Sequence, residues 1–402
     1  MTAYRTVHGI VYARGTVHGK KVAFVSARST YFHEADSAIG FFDLNDPTKV
    51  HDPESFREAV GGINFLFNWG YIDSDHIAYQ LSGWMPQRAT RTSPDFPVLG
   101  TGAFDWQGFD PDLHTETTVP LDRRPHAVDQ KYLVSWNNKQ APGWAAADDK
   151  FSYGPIFRSQ MIERRVQAAI KGSRKATIEQ LVQAMEEPAS QDLRAWSLMA
   201  ILRKALGRPK DQTLRDAIAL LTNWARSGAH RRDLNKDGKD EDEQAIALFD
   251  TWYPLLLKAQ FGRALGGPAY DALSTVLRPA SVLPGDDPSA PDYDDGWWGF
   301  VSKDLRDLFA RRGVRGRWSR VYCGRGSRSR CRAALQSSLR EALATVDPVT
   351  LYGRGDCTDD PDAQCFDRNR STTAGAISVP PAPFQNRPTF QQTVEVTQHL
   401  PR

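Results

Sequence analysis

Among residues able to do chemistry, two neighbouring carboxamides stand out: Asn137 and Asn138, at the end of the run Lys131-Tyr-Leu-Val-Ser-Trp136. A side-chain amide donates to developing negative charge without titrating, so it suits an oxyanion, and removing one such donor typically costs about 2.7–4 kcal/mol of transition-state stabilisation. Asn is equally a turn residue, and an Asn-Asn turn stands beside the catalytic reading. A second candidate is Asp233-Leu-Asn235-Lys-Asp237-Gly238, which puts oxygen ligands at positions 1, 3 and 5 and a glycine at 6, the opening of a calcium-binding loop. Position 12 is Gln244 where that loop has a bidentate Glu, and position 8 is Asp240 where an apolar residue is usual, so an acidic solvated loop reads as well as a calcium loop. Phe65, Phe67 and Trp69 form a third set, able to line a pocket for an apolar acyl group or to pack a core. His8 and His18 have no third ligand spaced to join them and read as structural.

Elements must place these groups. Tyr132, Val134 and Trp136 alternate with Leu133 and Ser135, which predicts a half-buried strand delivering the amides. Upstream, Val7 to Ala13 and Lys21 to Ala27 predict a hairpin turning through Arg14 to Lys20, and Ser29 to Pro47 reads as a polar loop. Asp52-Pro53 opens a short helix. Asn64 to Tyr71 and His76 to Leu81 predict a second hairpin about Asp73-Ser74-Asp75. Pro86 to Gln130 is loop-rich, with Phe104, Trp106 and Phe109 requiring burial.

After Arg158 the period changes. Three- and four-residue apolar spacing predicts helices over 156–170, 178–185, 193–206, 213–226, 244–261 and 269–276. A Pro- and Asp-rich loop follows from Arg278 to Trp297, then a helix over Arg330 to Ala344, an extended Pro380 to Pro388 and a last strand, Thr389 to Val396. The class is α+β: a sheet-containing portion over 1–150, a helical portion over 151–345, and a disulfide loop with a docking C-terminal strand over 346–402. The four cysteines fall in two pairs, Cys323 with Cys331 and Cys357 with Cys365, at gaps too wide for ordinary zinc ligands. Two local disulfides fit better than four thiols, each worth about 2.5 kcal/mol in the chain-entropy account, and such bonds persist in exported proteins.

The stretch from Trp136-Asn137-Asn138 through Asp148-Asp149 to Gly154 and Arg158 resembles the penicillin acylase family of N-terminal nucleophile hydrolases. The resemblance extends upstream through Thr6-Val-His-Gly9, Tyr71-Ile-Asp73 with Ala78-Tyr79, Pro86-Gln-Arg88 and Gly100-Thr-Gly to Asp105-Trp106. It continues downstream through Gly228-Ala-His230-Arg231, Asp250-Thr-Trp252 and Asn386 to Gln392. It implies that Asn137 is an oxyanion-hole donor, that Asp148 or Asp149 binds a structural calcium, and that Arg158 supports the site. It further implies an amidohydrolase acting on a small N-acyl compound such as a β-lactam side chain or an acyl-homoserine lactone. The nucleophilic serine of that family is expected in a preceding part of the same precursor, with its small chain and the start of its large chain. A Thr2 exposed by removal of Met1 is the weaker substitute, because it sits directly before the Thr6-Val-His-Gly9 run.

Composition narrows the rest. Lys and Arg number 51 against 48 Asp and Glu, a net charge of +3, which argues for no nucleic-acid partner, although Arg325 to Arg332 is a local basic patch. No apolar run reaches membrane-span length and Met1 to Arg14 lacks a leader-type apolar core, so export is read from the cysteines. The alternative is a non-catalytic exported protein held by calcium and disulfides.

Overall fold

In a computed structural model the described residues are 2–92, 96–135, 140–141, 144, 157–172, 175–232, 234–235, 241–277, 296–310, 320–346, 368–369, 382–383 and 393–396. The chain divides into one unit of Met1–Ser159 with Val394–Arg402 and another of Gln160–Thr393.

The first unit opens with an antiparallel sheet of β1 (Arg5–Thr6), β2 (Gly9–Val17) and β3 (Lys20–Ser26). Its turn is tighter than the predicted Arg14–Lys20 loop: His18 and Gly19 alone make it, at φ 48° and 77°, and the strands pair up to Val17 and Lys20. Two left-handed residues give the turn whose twist matches the flanking strands, so Gly15 is left in β2 opposite Val22. Gly9 is obligatory, because at φ 136° a Cβ would come within 2.1 Å of Ser26 O.

Ser37–Leu44 is a helix, α1, where a loop was expected. Ile39 and Phe42 point outward while the buried residues are Ser37 and Gly40, so no continuous apolar stripe marks it. Gly40 lets it lie against the next helix, since a Cβ there would meet Ile63 Cγ1 at 2.6 Å and Ala59 O at 2.8 Å. That helix, α2 (Pro53–Gly61), begins as predicted: Asp52 accepts from Ser55 N, Ser55 Oγ accepts from Asp52 N, and Pro53 fills the first helical position. Phe56 and Val60 then bury against Ala78, backed by Leu44, Val50, Trp69 and Tyr71.

The second sheet is β4 (Asn68–Ile72), β5 (Ile77–Leu81) and β6 (His126–Val128), antiparallel throughout. Asp73 closes the predicted turn by accepting from the backbone of Asp75 (2.7 Å) and His76 (2.6 Å). β6 lies within the segment read as loop; three residues are too few to show a period. There too, Trp106 and Phe109 are half-buried and meet edge to face, but Phe104 is 38% exposed, against the expectation that it be buried. The strand predicted at 132–136 does not form over 132–135. These residues alternate half-buried and exposed as the sequence indicated, without being part of a sheet.

The second unit is helical: α3 (Phe157–Ala169), α4 (Ile178–Ala189), α5 (Leu193–Leu206), α6 (Gln212–Arg226), α7 (Glu243–Leu257) with a π-turn over Lys258–Gly262, the single turn α8 (Arg263–Leu265), α9 (Gly267–Val276), α10 (Trp298–Phe309) and α11 (Arg328–Thr345). All the predicted helices are present; α10 was not anticipated. Its buried Val301, Leu305, Leu308 and Phe309 join Leu198, Leu202, Leu335 and Leu339 in one core around Trp224, Phe249, Trp252 and Tyr253. Trp252 keeps its indole N–H satisfied inside that core by donating to Ser338 Oγ at 3.0 Å. Cys323 and Cys331 form the predicted disulfide; Cys357 and Cys365 lie outside the described residues. β7 (Arg368–Asn369) pairs with β8 (Ala382–Pro383). The closing strand expected over 389–396 is not seen in its described part, 393–396.

The capping box makes the first prediction. Asp52→Ala should destabilise the first unit by about 1 kcal/mol, read as a lowered urea midpoint with unchanged slope.

Candidate functional site

Asn137, Asn138, Asp148, Asp149, Asp233 and Asp237 lie outside the described residues, and Arg158 is placed by its backbone alone, on the first turn of α3. Asn235 is exposed, and its N–H and that of Leu234 both donate to Glu241 Oε1, at 3.2 and 3.1 Å. One carboxylate thus holds two successive backbone amides. Among the described residues no group of three His, Cys, Asp or Glu side chains is arranged to hold a metal.

The aromatic set is brought together. Phe67 meets Trp69 edge to face at 5.9 Å and Phe65 at 6.4 Å, while Phe41 of α1 meets Trp69 at 5.7 Å. Ser82 ties this row: its hydroxyl donates to Phe65 O (2.6 Å) and accepts from Phe67 N (3.1 Å) and Trp69 Nε1 (3.0 Å). Trp69 leans on the α2 core, whereas Phe67 is 49% exposed, so one end of the row is packing and the other a free apolar face.

His8 is structural, as read: its Nε2 bonds Asp105 Oδ1 at 2.9 Å and its ring stacks on Phe109. His18 is the hairpin turn itself. Burial pushes Glu116 up to about 7, with His33 acting in the opposite sense, and no pattern in the sequence signals that environment.

The second unit holds a constellation that spacing does not reveal. Asp192, the N-cap of α5, accepts from the backbone of Arg194 and Ala195. Its Oδ2 also accepts from Arg194 (2.7 Å) and Arg231 (2.8 Å), and both guanidiniums reach Asp250 Oδ1, at 2.8 and 2.7 Å. All four side chains are buried. Burial alone would raise the Asp192 carboxyl, but the two guanidiniums outweigh it and hold Asp192 well below the usual carboxylate range. Arg194 also lies over the rings of Tyr253 and Phe249. Arg231 belongs to the Gly228-Ala-His230-Arg231 run and Asp250 to Asp250-Thr-Trp252, so two motifs carrying the family resemblance meet in one structural knot.

Beside it, Ser190 Oγ bonds His230 Nδ1 at 2.9 Å and His230 Nε2 bonds Glu187 Oε2 at 3.2 Å. The order imitates a nucleophile, base and acid. Its electrostatics oppose that use: burial first, then the Arg232 and Arg165 charges, push His230 down to about 4 against the pull of Glu187. Arg232 Nε also donates to Ser190 Oγ at 2.8 Å. A ring so weakly basic takes little of the serine's proton, and the cluster serves as a tie between α4 and the 228–232 loop.

An α+β chain of small antiparallel sheets and a helical unit shares its fold with the solved thermostable penicillin G acylase from Alcaligenes faecalis. The two match at a TM-score of 0.61 and 20% identity over 86% of this chain and 57% of that one. The sequence profile described as Penicillin amidase matches residues 1–376, and the chain belongs to that family. It is 25% identical over 262 residues to penicillin G acylase of Escherichia coli, spanning 64% of this chain and 28% of that protein. The chain thus covers well under two thirds of the length of either relative.

Two predictions follow. Asp192→Ala leaves two buried guanidiniums short of a counter-charge and should cost about 3–5 kcal/mol, visible in equilibrium unfolding. His230 takes up its proton near 6.5 when unfolded but only near 4 when folded. Its contribution is therefore complete above pH 6.5 and is lost as pH falls from 6.5 to about 4. Wild type minus His230→Gln should show that slope in urea unfolding free energies, and a flat difference would contradict it.

Proposed function

We propose that this chain is the C-terminal part of the large chain of a penicillin acylase-like amidohydrolase, cleaving a linear amide between an acyl group and an amine. What supports the reading is the family match over residues 1–376, which includes the Trp136-Asn137-Asn138 to Arg158 stretch. The nucleophilic serine and its α-amine come from the preceding part of the same precursor. The amine takes the hydroxyl proton as the oxygen attacks the amide carbonyl. Asn137 Nδ2–H donates to the resulting oxyanion, with Arg158 in support. Collapse breaks the C–N bond and releases the amine with the proton, and water then cleaves the acyl ester.

The Phe65, Phe67 and Trp69 row is the candidate acyl contact, since an exposed aromatic edge accepts an apolar chain. Asp148 and Asp149 offer adjacent carboxylates, a donor set suited to a hard cation such as calcium, which would act in structure and not in the reaction. Asp233, Asn235 and Asp237 are the second candidate. The disulfide is consistent with export, and among the described residues no helix is long and apolar enough to cross a membrane.

The test separates a donor from a turn. In the complete precursor, Asn137→Ala should lower kcat by about 10²–10³ with little change in KM, because the donor meets charge that develops only in the transition state. Asn138→Ala is the control, since adjacent residues of an extended segment point to opposite sides. Equal small losses that track melting temperature would reduce both to turn residues. The 402-residue chain by itself should not turn over a chromogenic N-acyl anilide, and turnover abolished by Thr2→Ala would move the nucleophile to Thr2.

A further inference from the structure

The loop between Cys323 and Cys331 has no part in the reaction above. Its sequence, Cys-Gly-Arg-Gly-Ser-Arg-Ser-Arg-Cys, carries Arg325, Arg328 and Arg330, all exposed, between two bonded cysteines that are themselves fully buried. The bridge pins both ends of the loop to the core while its arginines face solvent. Two further bonds hold the shape: Arg330 Nε donates to Gly324 O (3.0 Å) and Arg328 Nε to Leu308 O (2.5 Å).

The end of α5 lies directly against this region. Arg332 Nε donates to Ala205 O at 3.0 Å, and Gln336 Nε2 to Leu206 O at 2.7 Å. That end carries Arg203, Lys204 and Arg208, also exposed. Neither 203–208 nor 325–332 contains an Asp or Glu. None of these six cations is ion-paired to a carboxylate of the described residues. Asp211, a few residues beyond Arg208, is held by Arg340 at 3.2 Å. The whole chain carries a net charge of only +3, so the concentration of unneutralised charge here is local.

We propose that this face docks on an anionic phospholipid surface, its guanidiniums and ammonium engaging headgroup phosphates. Planar guanidiniums pair well with phosphate oxygens, and a covalently closed loop presents them with little ordering left to do on contact. Nucleic acid fits less well. Neither segment has a Phe, Tyr or Trp on which a base could stack, and a disulfide persists in oxidising compartments, outside the cytosol where nucleic acid is concentrated.

Vesicle flotation tests this with the 402-residue chain. It should bind vesicles of about 3:1 phosphatidylcholine to phosphatidylglycerol in low salt and lose binding near 0.5 M NaCl, where screening is about 4–5 Å. The triple variant Arg203→Gln, Arg208→Gln, Arg325→Gln removes charges that make no described structural bond, and should weaken partitioning by about 100-fold. Lys20→Gln, Lys21→Gln, Arg123→Gln alters net charge equally in the other unit and should leave partitioning within about threefold. Equal binding to pure phosphatidylcholine, an equal loss in the control variant, or tighter binding to a single-stranded oligonucleotide than to the anionic vesicles would each overturn the proposal.

Discussion

The helical unit depends on the closed square of Asp192, Arg231, Asp250 and Arg194. Each carboxylate meets two guanidiniums and each guanidinium two carboxylates, all out of solvent. Burying any one of these charges alone would be prohibitive, so the arrangement tolerates no partial assembly. It joins the start of α5, the left-handed turn at Gly228-Ala229 and the middle of α7, and the large aromatic residues pack around the result. Specificity of this kind differs from what the apolar core supplies: leucines can slide past one another, whereas this square closes in one register.

Periodicity made the helices legible, because within each helix apolar residues recur three or four apart and are buried, as with Leu198 and Leu202, Ile218 and Leu221, and Trp252 and Leu256. The same rule failed at α1, whose buried residues are Ser37 and Gly40 and whose Ile39 and Phe42 face out. In that helix, closeness of approach replaced hydrophobic burial as the organising need, and small residues leave no periodic mark. The hairpins were legible from their turn residues, though the first was drawn too wide because Gly15 reads as a turn glycine and instead pairs with Val22 inside the sheet. The unpaired extended segment at 132–135 shows the limit of a period-2 pattern: alternation reports which side of a chain is covered, and a sheet is only one way of covering it.

Family membership was legible in residue identity, and the environment of individual side chains was not. The family was recognisable from short motifs spread along the chain, and the profile match bears that out. The ion square is built from residues far apart in sequence, and neither Asp192 nor Arg194 stands in any recognisable pattern. His230 and Glu116 likewise owe their displaced titration to burial and to neighbours that only folding supplies.

The hydroxyl of Ser82 holds three groups of the aromatic row at once: the carbonyl of Phe65, the amide of Phe67 and the indole of Trp69. The hydroxyl fixes the Trp69 indole directly and the backbone that carries Phe65 and Phe67, and Phe41 and Phe67 both meet that indole edge to face. The surface they make is a fixed relief, unlike a methionine-lined surface that reshapes itself around whatever arrives. A group meeting such a relief gains when its contour already fits and gains little from greasiness alone. Discrimination there would be a matter of outline, set by a serine that never touches the ligand.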